Sequence, residues 1–245
     1  MLADIHIHTQ LSPCASLEMS PDRIIDTAAA KGIGMIGITD HNSTLQCCVV
    51  RELGIEAGIE VLMGAEVTTR EEVHCLVYFP GIQELRQFQS YLDLHLPKVV
   101  NDPGRFGYQV VVDHYNNIIY EETKLLISAL DVSLDALIEH VHMMGGLAIP
   151  AHVDRRRFGI IGQLGFVPPD LRADALEYSV APDSRSFLEK YPVLRKYPLV
   201  SSSDAHTPDQ IGTRWTSFET DDIGYSALRN LLLKTVEKNF LSTKL

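Results

Sequence analysis

The chain has 245 residues, 45% of them hydrophobic and 22% charged, which suffices for one sizeable core and does not suggest disorder. A formal net charge of −11 argues against gripping a long polyanion through a lysine- and arginine-rich face, so long duplex nucleic acid is not expected as a partner. The opening MLADIHIHTQ has no signal-peptide character, no apolar run reaches the ~18 residues of a membrane span, and Cys14, Cys47, Cys48 and Cys75 match no zinc-ribbon or CxxC spacing, so the expectation is a cytoplasmic protein with reduced thiols and no membrane contact.

Leu2–His8 alternates apolar and polar residues, as a strand does. Ser20-Pro21 then opens a helix that runs through Ile24, Ile25 and Ala28 and stops at Gly32. Met35–Thr39 predicts a short strand, Gln46–Ala57 a helix, and Val61–Val67 and Val73–Phe79 two more strands. Ile82–Leu94 is helical by period. From Leu96 to Leu130 the alternation stops, with a strong turn at Asn101-Asp102-Pro103-Gly104, and this stretch is expected to be an inserted subdomain or lid within a single domain spanning 1–245. Leu134–Met144 is a helix capped by Ser133 and closed by Gly145-Gly146. Leu147–Ala151, Ala175–Tyr178 and Leu199–Ser202 complete the strands, with a helix near Ser184–Tyr191 between the last two. Ser217–Glu219 is a candidate edge strand, and Tyr225–Lys238 reads as the closing helix. Such βα alternation favours a parallel barrel or a doubly wound sheet, and no GxGxxG or GxxxxGK[ST] nucleotide fingerprint is present.

His6-Ile7-His8 places two imidazoles on one face of the first strand. Asp204-Ala205-His206 repeats that spacing after a late strand. His41, Glu66, His74 and His152 fall between them, each expected at the C-terminal end of a strand, the edge on which α/β sheets and barrels build active sites. Barrel closure would set the first strand beside the last and gather His6, His8, Asp204 and His206. Any one strand-end histidine reads as a structural residue, but six of ten histidines with two acids on one edge read as a metal site, and imidazole with carboxylate suits Zn, Mn or Fe.

Those residues lie in the segments HIHTQLSPC, ITDHN, GAEVT, EVHCL, IPAHVDR and SSDAHT, and over nearly its whole length the chain resembles the PHP (polymerase and histidinol phosphatase) superfamily. The resemblance implies an α/β fold, a distorted seven-stranded (β/α) TIM-like barrel, with two to three divalent transition-metal ions at the C-terminal ends of its strands. It implies that His6, His8, Glu66 and Asp204 hold one metal, and that Glu66 as a bridge holds a second with His74 and His152. His41 and His206 would hold a third, helped by position 14, where the chain departs from the usual His or Asp of the family. Cys14 is expected as a soft thiolate ligand there, the alternative being a bystander thiol beside a two-metal centre.

Arg155 and Arg156, in the run that follows His152, are candidates to grip substrate phosphate. His95, His114, His140 and His142 are expected to serve surface or packing roles, and Asp40 to support its neighbours. The implied activity is metal-dependent phosphoester hydrolysis by a metal-activated water, on a small phosphorylated substrate such as a nucleotide, an oligonucleotide end or a phosphorylated metabolite. The rival readings are metal-dependent hydrolysis of an amide or C–N bond, and a non-catalytic metal-binding regulatory module.

Overall fold

A computed structural model describes residues 1–179, 188–218 and 224–232. Among these residues seven strands line the barrel: β1 (Leu2–Ile7), β2 (Met35–Ile38), β3 (Glu60–Thr68), β4 (His74–Phe79), β7 (Leu147–Pro150), β8 (Leu176–Glu177) and β9 (Leu199–Val200). The first five of these are hydrogen-bonded in that order, and β10 (Thr216–Ser217) pairs antiparallel with β1 at the outer margin. β8 joins β7 through Asp174 N–H to Ala148 O (3.0 Å) and Val153 N–H to Glu177 O (2.8 Å), and pairs in parallel with β9. The barrel then closes at a parallel bridge between Ile7 and Ala205, where His8 N–H donates to Ala205 O (3.0 Å) and Ala205 N–H to His6 O (3.2 Å).

One strand does not follow the expected parallel pattern. β4 runs antiparallel to both β3 and β7. Only residues 69–73 separate β3 from β4, and a parallel return needs a crossover of a dozen or more residues. The reversal places His74 at the start of its strand, opposite Thr68, so it still reaches the edge where the parallel strands end.

The chain packs in two layers. Ala3, Ile5, Met35, Leu62, Tyr78, Leu147, Ile149 and Val200 plug the barrel interior together with Leu228 and Leu232 from a helical stretch at 225–232. Outside, α1 (Pro21–Ala30) buries Pro21, Ile24, Ile25 and Ala28, and α5 (Leu134–Met143) buries Leu134, Leu137, Ile138 and Val141. Each large aliphatic side chain buried in this way contributes about 1.5–3 kcal/mol. α1 starts at Pro21, whose missing N–H is harmless in a first turn, and α5 is capped by Ser133 Oγ accepting from Ala136 N–H. α2 (Cys47–Ala57) and α3 (Ile82–His95) also match the sequence reading. The expected helix near 184–191 falls largely outside the described residues, as do the ends of the candidate strand at 217–219 and of the closing helix. Among the described residues no helix is long and apolar enough to cross a membrane, and all four cysteines are free.

The stretch from Leu96 to Leu130 has structure that the sequence did not announce. α4 (Pro103–Phe106), capped by Asp102, replaces the expected simple turn, and β5 (Val110–Val112) and β6 (Ile118–Glu121) form a hairpin. Two buried amides fasten it to the barrel: Gln10 Nε2 donates to Val110 O (3.2 Å), and Gln46 exchanges hydrogen bonds with Val112 N–H and O (2.9 and 3.1 Å). Gly107, at φ 103°, passes so close beneath Pro13 that a Cβ there would lie 2.1 Å from the Pro13 carbonyl oxygen.

Candidate metal centre

His6 of β1 and His8 just beyond it reach the pocket because the strand carries an extra residue. β1 pairs with β2 as Ala3↔Met35 and Asp4↔Ile36 but as Ile7↔Ile38, a slip of one between Asp4 and Ile7. Below this bulge Ala3 and Ile5 face the apolar interior. Above it His6 and His8 do, a re-aiming that strict alternation forbids. The bulge also turns the Ile5 carbonyl inward, where the Tyr78 hydroxyl donates to it and where Gly37 of β2 leaves room.

Two imidazoles and two carboxylates then converge on one place. His6 Nε2 lies 3.2 Å from His8 Nε2, 3.2 Å from Asp204 Oδ1 and 3.4 Å from Glu66 Oε1. His8 Nε2 lies 3.3 Å from Asp204 Oδ1 and 3.4 Å from Glu66 Oε2. Nitrogen and oxygen ligands at ~2.0–2.1 Å around a tetrahedral ion sit about 3.3–3.4 Å from one another, and the separations of the two imidazoles from each other and from each carboxylate fall close to that range, Glu66 facing the two rings through different oxygens. The tautomers agree. His6 Nδ1 faces both oxygens of the Glu177 carboxylate at 3.0 and 3.2 Å and must donate to it. Ser12 Oγ donates to Asp40 (2.7 Å), so it accepts from His8 Nδ1–H (2.9 Å). Both Nε2 lone pairs are thereby aimed at the same place as two carboxylates, and Asp204 Oδ1 is buried with no hydrogen-bond partner among the described residues. A cation is what such a donor set accepts.

Glu66 extends the site to further histidines. Its oxygens lie 3.1 Å from His41 Nδ1, 2.9 Å from His74 Nδ1 and 3.1 Å from His152 Nε2. The described residues contain three potential ligand groups: His6, His8, Glu66 and Asp204; His41, Glu66 and His74; and His8, His41 and His206. The first is the quartet that the family resemblance implies. The others partition the histidines differently, with His41 beside His74, and His152 touching the bridge acid from outside the second group. Cys14 lies outside all three groups. Its thiol is pushed up to about 12, first by desolvation and then by Glu66, which makes thiolate scarce at neutral pH.

Charge is distributed unevenly among these rings. Burial opposes the charged form of His6, but Glu177, Asp204 and Glu66 outweigh it and hold the ring well above the ordinary range. His8 is raised to about 9 against the same burial penalty by hydrogen bonds to Asp204 and Glu66. Burial would raise Glu66 and Asp204, yet the adjacent imidazoles keep both carboxyls below their usual range. His41 and His74 are lowered, chiefly by burial, and His206 falls to about 4 through burial and the neighbouring His8. Protons and a metal ion therefore compete for His6 and His8, while His41, His74 and His206 are neutral and ready to ligate.

Several residues support these ligands, and of them only Asp40 is expected from the sequence. Glu177, buried on β8, is the main one; an acid in the middle of the apolar run ALEY was its only signal. Asp40 holds Thr9 and Ser12 through hydrogen bonds of 2.7 Å to the Thr9 amide, the Thr9 hydroxyl and the Ser12 hydroxyl, so it supports His8 through Ser12. Phe158 stacks on His74 with ring centroids 4.4 Å apart. His152 and Asp204 stand at φ 31° and 54°, a left-handed backbone that is uncommon outside glycine and is often found at functional sites. At the pocket mouth Arg155 donates to Asp204 Oδ2 (2.5 Å), whereas Arg156 is exposed and is placed on none of the ligand groups. The remaining histidines serve elsewhere: His95, His114 and His142 pair with Asp131, Glu52 and Asp174, and His140 stacks on Tyr91.

The sequence matches the PHP domain family model over residues 4–178 and a PHP-associated model over residues 186–234. The chain belongs to the PHP domain family. This PHP domain is 25% identical over 245 residues to the protein YqxK of Bacillus subtilis, an alignment that covers 87% of this chain and 57% of YqxK. Its fold is similar to that of Endonuclease Q in complex with a 27-mer duplex substrate bearing an abasic lesion at the active site (TM-score 0.70, 19% identity, 96% of this chain and 57% of the other). It is also similar to a protein of Bifidobacterium adolescentis assigned as a metal-dependent phosphoesterase (TM-score 0.61, 20% identity, 95% and 96% covered). The chain thus spans a little over half the length of YqxK and of Endonuclease Q. The exclusion of long duplex nucleic acid does not hold, because Endonuclease Q takes a duplex on this fold. Total charge was the wrong quantity: phosphate contacts depend on the charges lining one face, not on their sum over a surface.

Proposed function

We propose that this PHP domain is a hydrolase of phosphoesters that works with two to three divalent transition-metal ions, zinc, manganese or iron. The observation that carries the reading is the quartet His6, His8, Glu66 and Asp204, two imidazoles and two carboxylates gathered at one place with a guanidinium beside them. His41, His74 and His152 around Glu66 would hold a second ion, and His206 with His8 and His41 a third. Bound ions supply Lewis acidity, which activates water near neutral pH and offsets charge on the phosphoryl group.

The chain's own groups do the rest. Arg155 spends one nitrogen on Asp204 and keeps its other N–H groups at the mouth for phosphate oxygens, with Arg156 exposed beside it. His206, at about 4, is neutral and weakly basic at working pH, which suits it to ligation rather than to proton transfer. The proposed substrate is a nucleotide, an oligonucleotide end or a phosphorylated metabolite. A duplex with an abasic lesion is the second reading, favoured by the likeness to Endonuclease Q over 96% of this chain.

The test is a rate screen of metal-loaded protein on phosphomonoesters, phosphodiesters, an abasic duplex and an amide panel, with Asp204→Ala in parallel. Turnover of a phosphoester that disappears in the variant is expected. Phosphoester turnover that survives Asp204→Ala, or activity confined to the amides, overturns the reading.

A further inference from the structure

Glu177 belongs to none of the metal-ligand groups, yet its carboxylate reaches two of the proposed ligands on different strands. Oε2 accepts from His6 Nδ1–H at 3.0 Å and from the backbone N–H of His152 at 3.0 Å, and Oε1 lies 3.2 Å from the same His6 nitrogen. The residue is 2% exposed, and Arg155, the cation at the pocket mouth, is engaged by Asp204. His152 donates this bond at φ 31°, a conformation that a non-glycine residue keeps only when its surroundings enforce it.

We propose that Glu177 is a positioning residue of the metal centre. It fixes His6 as the Nδ1–H tautomer, so that the Nε2 lone pair faces His8, Asp204 and Glu66, and it clamps the His152 backbone so that this ring meets Glu66. It also adds a third buried carboxylate beside Glu66 and Asp204, which deepens the attraction of the pocket for a cation. The chemistry requires an anion that only accepts hydrogen bonds. A glutamine can turn its carbonyl to the Oε2 position and keep both bonds, but its NH2 group then sits against His6 Nδ1–H and the charge is gone. An alanine loses both bonds. The inference rests on the reading that His6 and His152 bind metal.

The experiment is zinc titration of the metal-free full chain, as wild type, Glu177→Gln and Glu177→Ala, with thermal unfolding of each metal-free form. Nitrogen-15 NMR of the His6 ring accompanies it. Removing a carboxylate behind a metal-ligating histidine weakens metal binding about 10- to 100-fold. That loss is expected for Glu177→Gln with little change in its melting temperature, and a larger one for Glu177→Ala. In the zinc-bound wild type the His6 ring should carry its proton at Nδ1 alone, with Nε2 losing its proton to the metal on zinc addition. Equal zinc affinity in wild type and Glu177→Gln overturns the proposal, as does an Nε2-protonated His6 in the zinc-bound wild type. Should Glu177→Gln fail to fold, the wild-type tautomer decides the matter by itself. A wild type that binds no zinc overturns the metal-centre reading as well, an outcome distinct from equal binding by both proteins.

Discussion

Gly37→Ala tests whether the β1 bulge aims the metal ligands. A methyl group at Gly37 would sit 2.2 Å from the Ile5 carbonyl oxygen, 2.7 Å from its carbon and 2.9 Å from Ile5 Cα, all backbone atoms that no rotamer change can move. Ordinary contact is ~3.5 Å, so β1 must retreat by roughly 1 Å or surrender the bulge. Overpacking of this kind costs about 1–3 kcal/mol, a fall of roughly 2–12 °C in melting temperature for a chain of this size. The more telling effect is on zinc. With the bulge displaced, His6 and His8 no longer converge, and zinc affinity should fall on the order of tenfold or more although no ligand has changed. Gly32→Ala is the control: at φ 68° with nothing within 4 Å of its would-be Cβ, it should cost roughly 1–2 kcal/mol of backbone strain and leave zinc binding alone. Melting curves and zinc titrations of the metal-free proteins make the comparison. A Gly37→Ala protein that binds zinc as the wild type does would refute the role given to the bulge.

His8→Ala and Asp204→Ala should each lose at least one metal equivalent while staying folded; elemental analysis beside circular dichroism checks this, and full metal content in either removes it from the ligand set. Cys14→Ser should keep the wild-type stoichiometry, since its sulfur stands outside the ligand groups, and the wild-type thiol, at about 12, should react sluggishly with a thiol reagent at pH 8; a lost metal equivalent would restore Cys14 as a ligand. Zinc affinity should tighten from pH 6 to pH 9, about tenfold per unit for each proton displaced, because His8 holds its proton up to about 9; calorimetry in buffers of different ionisation enthalpy counts the protons, and a flat profile contradicts the assignment. In the metal-free fold the signs divide. The contribution of His8 is full below 6.5 and is lost as the pH rises through about 9, whereas that of His206 is present above 6.5 and is lost as the pH falls through about 4, which melting curves across pH will show.

The histidine and carboxylate cluster was legible because the HIH and DAH segments repeat one spacing at strand ends, and barrel closure then forces the two together. Three things were hidden for physical reasons. The direction of β4 is set by the short span between β3 and β4, which periodicity does not register. The bulge in β1 breaks no pattern in the sequence, because Asp4, His6 and His8 alternate as cleanly as in a regular strand. Glu177 stands alone among apolar neighbours, and a single acid becomes meaningful only once β8 is seen beside the ends of β1 and β7. Reasoning from net charge misled for a different cause: it averages over the whole surface, while recognition is decided on one face.

The seam between β1 and the segment after β9 has a further consequence. Two backbone hydrogen bonds and one bridge cross it, and so does the quartet, with His6 and His8 on one lip and Asp204 on the other. These lips lie far apart in the sequence, at residues 6–8 and 204, so an ion held there would stitch a long loop closed, and stitches that close long loops restrain an unfolded chain most. Under the proposed function the hydrolytic centre exists only when the circle is complete. A partly folded or opened chain cannot assemble it, and reactivity is confined to the finished molecule by its own wiring.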